Sequence, residues 1–336
     1  MKSQNVCIWK IEKKLEEITF LLNEDCSKYV KELKEYNILD SEKKMIYKWT
    51  NLNECNNKIK ELLIDQKKLR YIKALAEIEY NAIPFGEWIV NDKPLPKELR
   101  VNRNNSTVMF VERMGSVYCI VIGGKSLESR IRSRLMHVRE KDSSWGEVQI
   151  NNIREYSFNK NFYYWLLHNK GKTLNIEDKE LKLNDVKGFK SDTDRKENSY
   201  RGQGSNIDSE IPLKSIVSMD ESVVSLYIDI LLNGTISYSF FLDYDGRIGV
   251  CQSECGEFAT QTPQPMSLDK IILDIYFDII PFLHKKFNEA LSNGWEDIEK
   301  KFKKRLSIDI IFDLIRQNSI EFSELEEELS RNKTIS

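Results

Sequence analysis

Long apolar runs are missing from this chain: no stretch of ~18 consecutive apolar residues occurs, which argues against a membrane-spanning helix. The opening run MKSQNVCIWKIEKKLEE has neither an uninterrupted apolar core nor a small-residue cleavage site, so no export signal and no membrane insertion are expected. A charge imbalance is missing too. Lysine plus arginine number 51 against 53 for aspartate plus glutamate, a formal net charge of -2, so no global field draws the molecule to nucleic acid or anionic lipid and any anion site must be a local patch. Histidine is scarce: His137, His168 and His284 are the three present, none beside a plausible nucleophile, so Ser/His or Cys/His catalysis has no support. Cysteines are few and scattered. Cys251 and Cys255 are close, with Glu254 and Glu257 adjacent, but zinc needs four ligands and there is no second pair. Thiols set among apolar neighbours, as at Cys7, Cys26 and Cys119, fit a reducing cytoplasm. No cofactor and no internal repeat is evident.

The chain does have the material for real cores, with 336 residues and 40% hydrophobic content. Residues 1–82 read as a helical region: Ile11, Leu15, Ile18 and Leu22 make one stripe, Tyr29, Leu33 and Tyr36 continue it, and Met45, Trp49, Leu52, Ile59 and Leu63 follow at coiled-coil-like spacing. The register then shifts to Leu62, Leu69, Ile72 and Ala76, which favours antiparallel packing within the layer over a dimerisation arm, the second use of these helices. Ile83-Pro84-Phe85-Gly86 ends this region, and residues 83–336 read as an α+β domain. Its securest part is a meander from Ser222 to Cys251, because Asn233-Gly234 and Asp245-Gly246 separate strictly alternating runs. A long polar loop is expected over 186–210, nearly devoid of aliphatics. The C-terminal part reads as helices, with the Leu268–Phe287 helix, kinked or divided at Pro281, packed on the meander. The fold class is therefore α+β, an N-terminal helical region followed by a mixed region whose antiparallel meander packs on helices.

One segment looks built to meet an anion. Val108, Phe110, Val117, Cys119 and Val121 alternate about Met114-Gly115-Ser116, so a hairpin leads Gly123-Gly124-Lys125-Ser126 into a helix. A nucleotide loop of the form G-x-x-x-x-G-K-[ST] would need its first glycine where Cys119 stands, so the match fails and the glycines permit only a tight turn. Behind the turn, Leu127, Ile131, Leu135 and Val138 share one helix face while Arg130, Arg132, Arg134 and Arg139 lie on the others. Arginine forks bind phosphate oxygens bidentately, although a solvated or salt-bridged face is the plainer use of such charges. Arg201 in YRGQG and the Lys300–Arg305 run supply two more basic elements. The aromatic crowd Phe158, Tyr163, Tyr164 and Trp165 could stack on bases beside Lys160 and Lys170 but reads better as core. Glu180-Leu181-Lys182 and Asp185-Val186-Lys187, with Asp178 nearby, have a nuclease-like spacing that arises by chance in a chain 31% charged.

The layout of hairpin, Gly123-Gly124, basic helix, polar loop and meander, over roughly residues 80 to 290, resembles accessory proteins of bacterial anti-phage defence systems of the Kiwa KwaB kind. The resemblance implies an intracellular protein that binds DNA and acts with a partner; it carries no site onto particular residues. The expected function is nucleic-acid binding, DNA ahead of RNA, with phosphates met by Lys125, Arg130, Arg132, Arg134, Arg201 and Lys303 and a protein partner or second copy held by the N-terminal helices. A metal-dependent nuclease and a non-catalytic scaffold are the alternatives.

Overall fold

The computed structural model describes residues 3–51, 58–64, 67–138, 143–192, 199–258 and 264–333. The chain forms two compact units: Met1–Tyr156 with Asp245–Val250 and Ile272–Asp278, and Ser157–Tyr244 with Cys251–Ile271 and Ile279–Ser336.

The expected N-terminal helical region is overturned, because strands dominate the first unit. They are β1 (Gln4–Ile11), β2 (Tyr47–Asn51), β3 (Lys60–Ile64), β4 (Lys67–Asn81), β5 (Val101–Arg113) and β6 (Ser116–Ile122). All pair antiparallel in the order β1-β6-β5-β4-β2, with β3 on the start of β4 and the short strand Ile248–Val250 on the outer side of β1. The physical reason is alternation. Ile72, Ala74, Ala76 and Ile78 are all fully buried on one face of β4, and Met45, just before β2, alternates with Tyr47 and Trp49 within it as buried residues. Leu52 of the supposed coiled-coil stripe lies outside the described residues. One stretch is helical as expected: α1 (Leu15–Leu21) buries Leu15 and Ile18. The hairpin is also as expected, with Met114 at φ 49° and Gly115 at φ 77° in the turn, both in the left-handed region that a two-residue hairpin turn requires.

Both faces of this sheet are covered. On one, Trp9, Ile72, Phe110 and Cys119 meet Leu15, Ile18, Ile131, Leu135 and Trp145, and the rings of Trp49, Phe110 and Trp145 sit 5.5 to 5.8 Å apart. On the other, Tyr118 meets Tyr156 at 5.6 Å, edge to face, and Tyr156 meets Tyr276 at 5.4 Å; the Tyr276 hydroxyl donates to the carbonyls of Gly246 (3.0 Å) and Val6 (3.3 Å). Edge-to-face rings favour each other beyond the area they bury.

In the second unit β7 (Thr173–Ile176), β8 (Lys179–Asp192), β10 (Ser222–Leu232) and β11 (Ile236–Asp243) pair antiparallel in that order, and β9 (Ser199–Gln203) pairs with the end of β8. The expected 186–210 loop is therefore a correction: most of its described part is the β8/β9 hairpin, and residues 193–198 lie outside the described residues. Two of its glycines mark close approach: a Cβ at Gly202 would strike the Phe189 ring, and one at Gly188 would crowd the Gly202 carbonyl. The Asn233-Gly234 hairpin stands as expected, with φ of 49° and 68°. Helix α3 (Lys160–His168) lies on the meander, its Tyr163 hydroxyl donating to the Leu242 carbonyl at 3.1 Å. The chain passes through a π turn at Ile275–Ile279 and then α5 (Ile280–Ser292), which has Pro281 in its first turn; α5 meets α3 where Phe287 meets Phe162 at 5.4 Å. Between these two come α4 (Ile211–Ser218), and after them α6 (Trp295–Asn318) and α7 (Phe322–Lys333). Among the described residues no helix is long and apolar enough to cross a membrane.

Candidate nucleic-acid groove

The basic helix begins where β6 ends. A Cβ at Gly123 would stand 2.9 Å from Leu127 Cδ2, so glycine lets the helix fold tightly back onto the strand, while Gly124, at φ -78° with open space around it, has no such duty. The α-helical part, α2 (Lys125–Arg130), continues as a π turn over Ile131–Leu135 that buries Ile131 and Leu135 completely. Arg139 lies outside the described residues.

An acidic residue inside the basic run holds this helix down. Glu128 is 1% exposed and forms a two-pronged ion pair with Arg247, Nη1 to Oε2 at 2.7 Å and Nη2 to Oε1 at 3.1 Å. The Arg247 guanidinium is itself fixed by Asp245 at 2.9 Å. Arg132 turns toward the same carboxylate, 3.8 Å from Glu128 Oε1 and 5.8 Å over the Trp9 ring. It thus serves the inside of the unit. Lys125 stands exposed on the first turn.

Arg130 and Arg134 behave differently. Arg130 lies 3.8 Å over the ring of Tyr80 and Arg134 5.5 Å from that of Tyr47, and both line one groove of about 400 Å³. Stacking uses the flat face of a guanidinium and leaves its N–H edge available for an acceptor. Lys28 and Lys31 add two exposed cations, and Tyr29 and Phe85, 48% and 49% exposed, add rings. Lys44 sits 4.7 Å over Tyr29, and Phe85 packs 4.5 Å from the buried Trp88, so both rings are propped from behind.

Two carboxylates also line the groove, Glu32 and Glu79. Glu79 is already occupied: Lys97 lies 2.9 Å and Arg103 3.0 Å from its oxygens, and the Ile46 N–H donates to it at 2.8 Å. Burial works against its charge, but these hydrogen bonds outweigh burial and hold its carboxyl below the usual range. Lys28, Lys31, Arg130 and Arg134 therefore face Glu32 alone among the lining carboxylates without such partners.

In comparison with known proteins, no family model matches the chain and no curated protein matches it either.

The remaining expected residues lie in the second unit. Arg201 is exposed on β9, directly across from Lys190. Lys303 is taken up within the chain, 2.6 Å from Asp220, paired with Glu299 and 4.7 Å over the Tyr164 ring. The nuclease-like triplet is split: Asp185 pairs with Lys170 at 2.9 Å, whereas Lys187 pairs with Asp229 and, at 2.8 Å, with Glu254. Among the described residues no three His, Cys, Asp or Glu side chains stand where they could hold a metal ion. Phe158, Tyr163, Tyr164 and Trp165 are buried, as core. His284 stacks on Phe158 at 4.8 Å. His168 sits against Trp295 at 5.4 Å and Phe302 at 5.1 Å, and burial, with Lys172 and Arg305 nearby, pulls its pKa down to about 4.

Of the groove's cations, Arg130 and Arg134 are among the residues expected from the sequence; Lys28, Tyr29, Lys31, Tyr80 and Phe85 are not. The one local signal was the Lys28-Tyr29-Val30-Lys31 run, cationic with an aromatic interleaved.

Proposed function

We propose that the groove beside α2 binds single-stranded nucleic acid, with Arg130 and Arg134 on backbone phosphates, Lys28 and Lys31 beside them, and Tyr29 and Phe85 as platforms for bases. The observation that carries this reading is the pairing of planar cations with propped, half-exposed rings in one groove. Arginine for phosphate and an aromatic face for bases is the combination by which proteins hold single strands. A duplex keeps its bases stacked and would leave the rings unused. With a net charge of -2 the attraction is local, and four phosphate contacts would give a slope of log affinity on log salt of roughly -3.

Fluorescence anisotropy with a labelled oligodeoxythymidine at low salt tests the reading. Binding should weaken about tenfold or more in the Arg130→Ala/Arg134→Ala double variant while its circular dichroism and melting stay as in the parent. An unaltered chain that leaves single-stranded DNA and RNA unbound at low salt overturns it.

A further inference from the structure

The last long helix carries two apolar faces. The first buries Trp295, Phe302 and Leu306 against its own unit and continues to Asp313, which pairs with Lys214 of α4 at 2.7 Å. The second lies on the opposite side of α6: Ile308, Ile311 and Phe312 are 43%, 53% and 48% exposed, and Ile315 completes the helical spacing. A helix apolar on both sides is ordinarily covered on both, and an exposed apolar stripe of this length is uncommon on a protein that acts alone. Phe322, at the start of α7, is 65% exposed as well.

The charges flanking the stripe say what covers it. On the same outer face of α6, one to two turns before Ile308, stand Lys301, Lys304 and Arg305, all exposed. Beyond Ile315 come Glu321, Glu324, Glu326 and Glu327, also exposed. Exposed basic, apolar and acidic segments thus follow one another along the chain. We infer that this surface is the contact between two copies of the chain, which associate antiparallel about a twofold axis through the Ile311–Phe312 region. In a twofold contact one patch meets itself reversed. Reversal places Ile308, Ile311, Phe312 and Ile315 against their counterparts and sets the Lys301–Arg305 end of each copy beside the Glu321–Glu327 segment of the other. A parallel arrangement would oppose like charges at both ends.

The test is the mass of the full chain by sedimentation equilibrium over a range of concentrations. The unaltered chain should weigh twice the monomer and dissociate on dilution. Ile311→Glu, an exposed position, should give a monomer whose circular dichroism is unchanged. Lys304→Glu with Arg305→Glu should raise the dimer dissociation constant about three- to tenfold, and adding Glu321→Lys with Glu324→Lys should restore it. A monomer at every concentration, including one that instead binds lipid vesicles or a different protein through this stripe, overturns the inference. So does a dimer that survives Ile311→Glu, or a charge reversal that the reciprocal reversal leaves unrepaired.

Discussion

In the first unit Arg130 and Arg134 lie over tyrosine rings and line a groove, whereas in the second Lys170, Lys187 and Lys303 are each bound to two carboxylates of the same chain. The two sets of cations look alike in a sequence. Their availability differs because a ring occupies the face of a cation without neutralising it, while a carboxylate neutralises it. A basic run therefore says little about anion binding until the neighbours of each cation are known.

The largest effect expected is on the anchor of the groove. Glu128→Ala leaves Arg247 without its main partner inside the unit, and should lower stability by about 3 kcal/mol, read as a shift in the urea midpoint of unfolding; an unchanged midpoint would remove Glu128 from this role. The contrast between the units is sharpest in a paired experiment. Lys303→Ala should cost about 1–2 kcal/mol, because Glu299 is left buried without its cation, and should leave oligonucleotide binding as it was. Arg134→Ala should do the reverse, with stability altered by less than ~0.5 kcal/mol and binding weakened severalfold. If both variants lose binding equally, the distinction drawn above fails. A smaller effect is expected for Phe85→Ala, about 1 kcal/mol of affinity if one base stacks there, measured by the same anisotropy titration. The last concerns pH. His168 is held neutral in the folded second unit to about pH 4, while an unfolded chain protonates near its ordinary value of 6.5. The unfolded state thus gains protons first as the pH falls. Stability from this residue is complete above pH 6.5 and declines toward pH 4, and His168→Gln should flatten the melting temperature across that window.

Parts of the fold were legible, for reasons that particular residues make plain. Asn233-Gly234 announces a hairpin because few other pairs accept the backbone angles of its turn, and the alternation on either side of Met114-Gly115 marks the other. The N-terminal half misled because a spacing of four serves both a helix and a strand. Met45 and Trp49 share a helix face, yet Tyr47 between them makes the same two residues part of an alternating strand, and Ile72 to Ala76 repeats the ambiguity. Glycines misled in the second unit, where Gly188 and Gly202 serve close strand packing that a loop reading does not anticipate. Of the groove, only its α2 side could be read. Tyr29, Tyr80 and Phe85 come from separate segments, and pairing of β2 with β4 and of β4 with β5 is what sets those segments beside the helix.

The Glu128–Arg247 pair also orders events in time. Arg247, the Ile248–Val250 strand beside β1 and Tyr276 all leave the ribosome after the Ser157–Tyr244 part of the second unit has been made. Until then the growing chain carries the Glu128 carboxylate without its two-pronged partner and an open strand edge at Val6. The unit begun first cannot close until much of the second has been made.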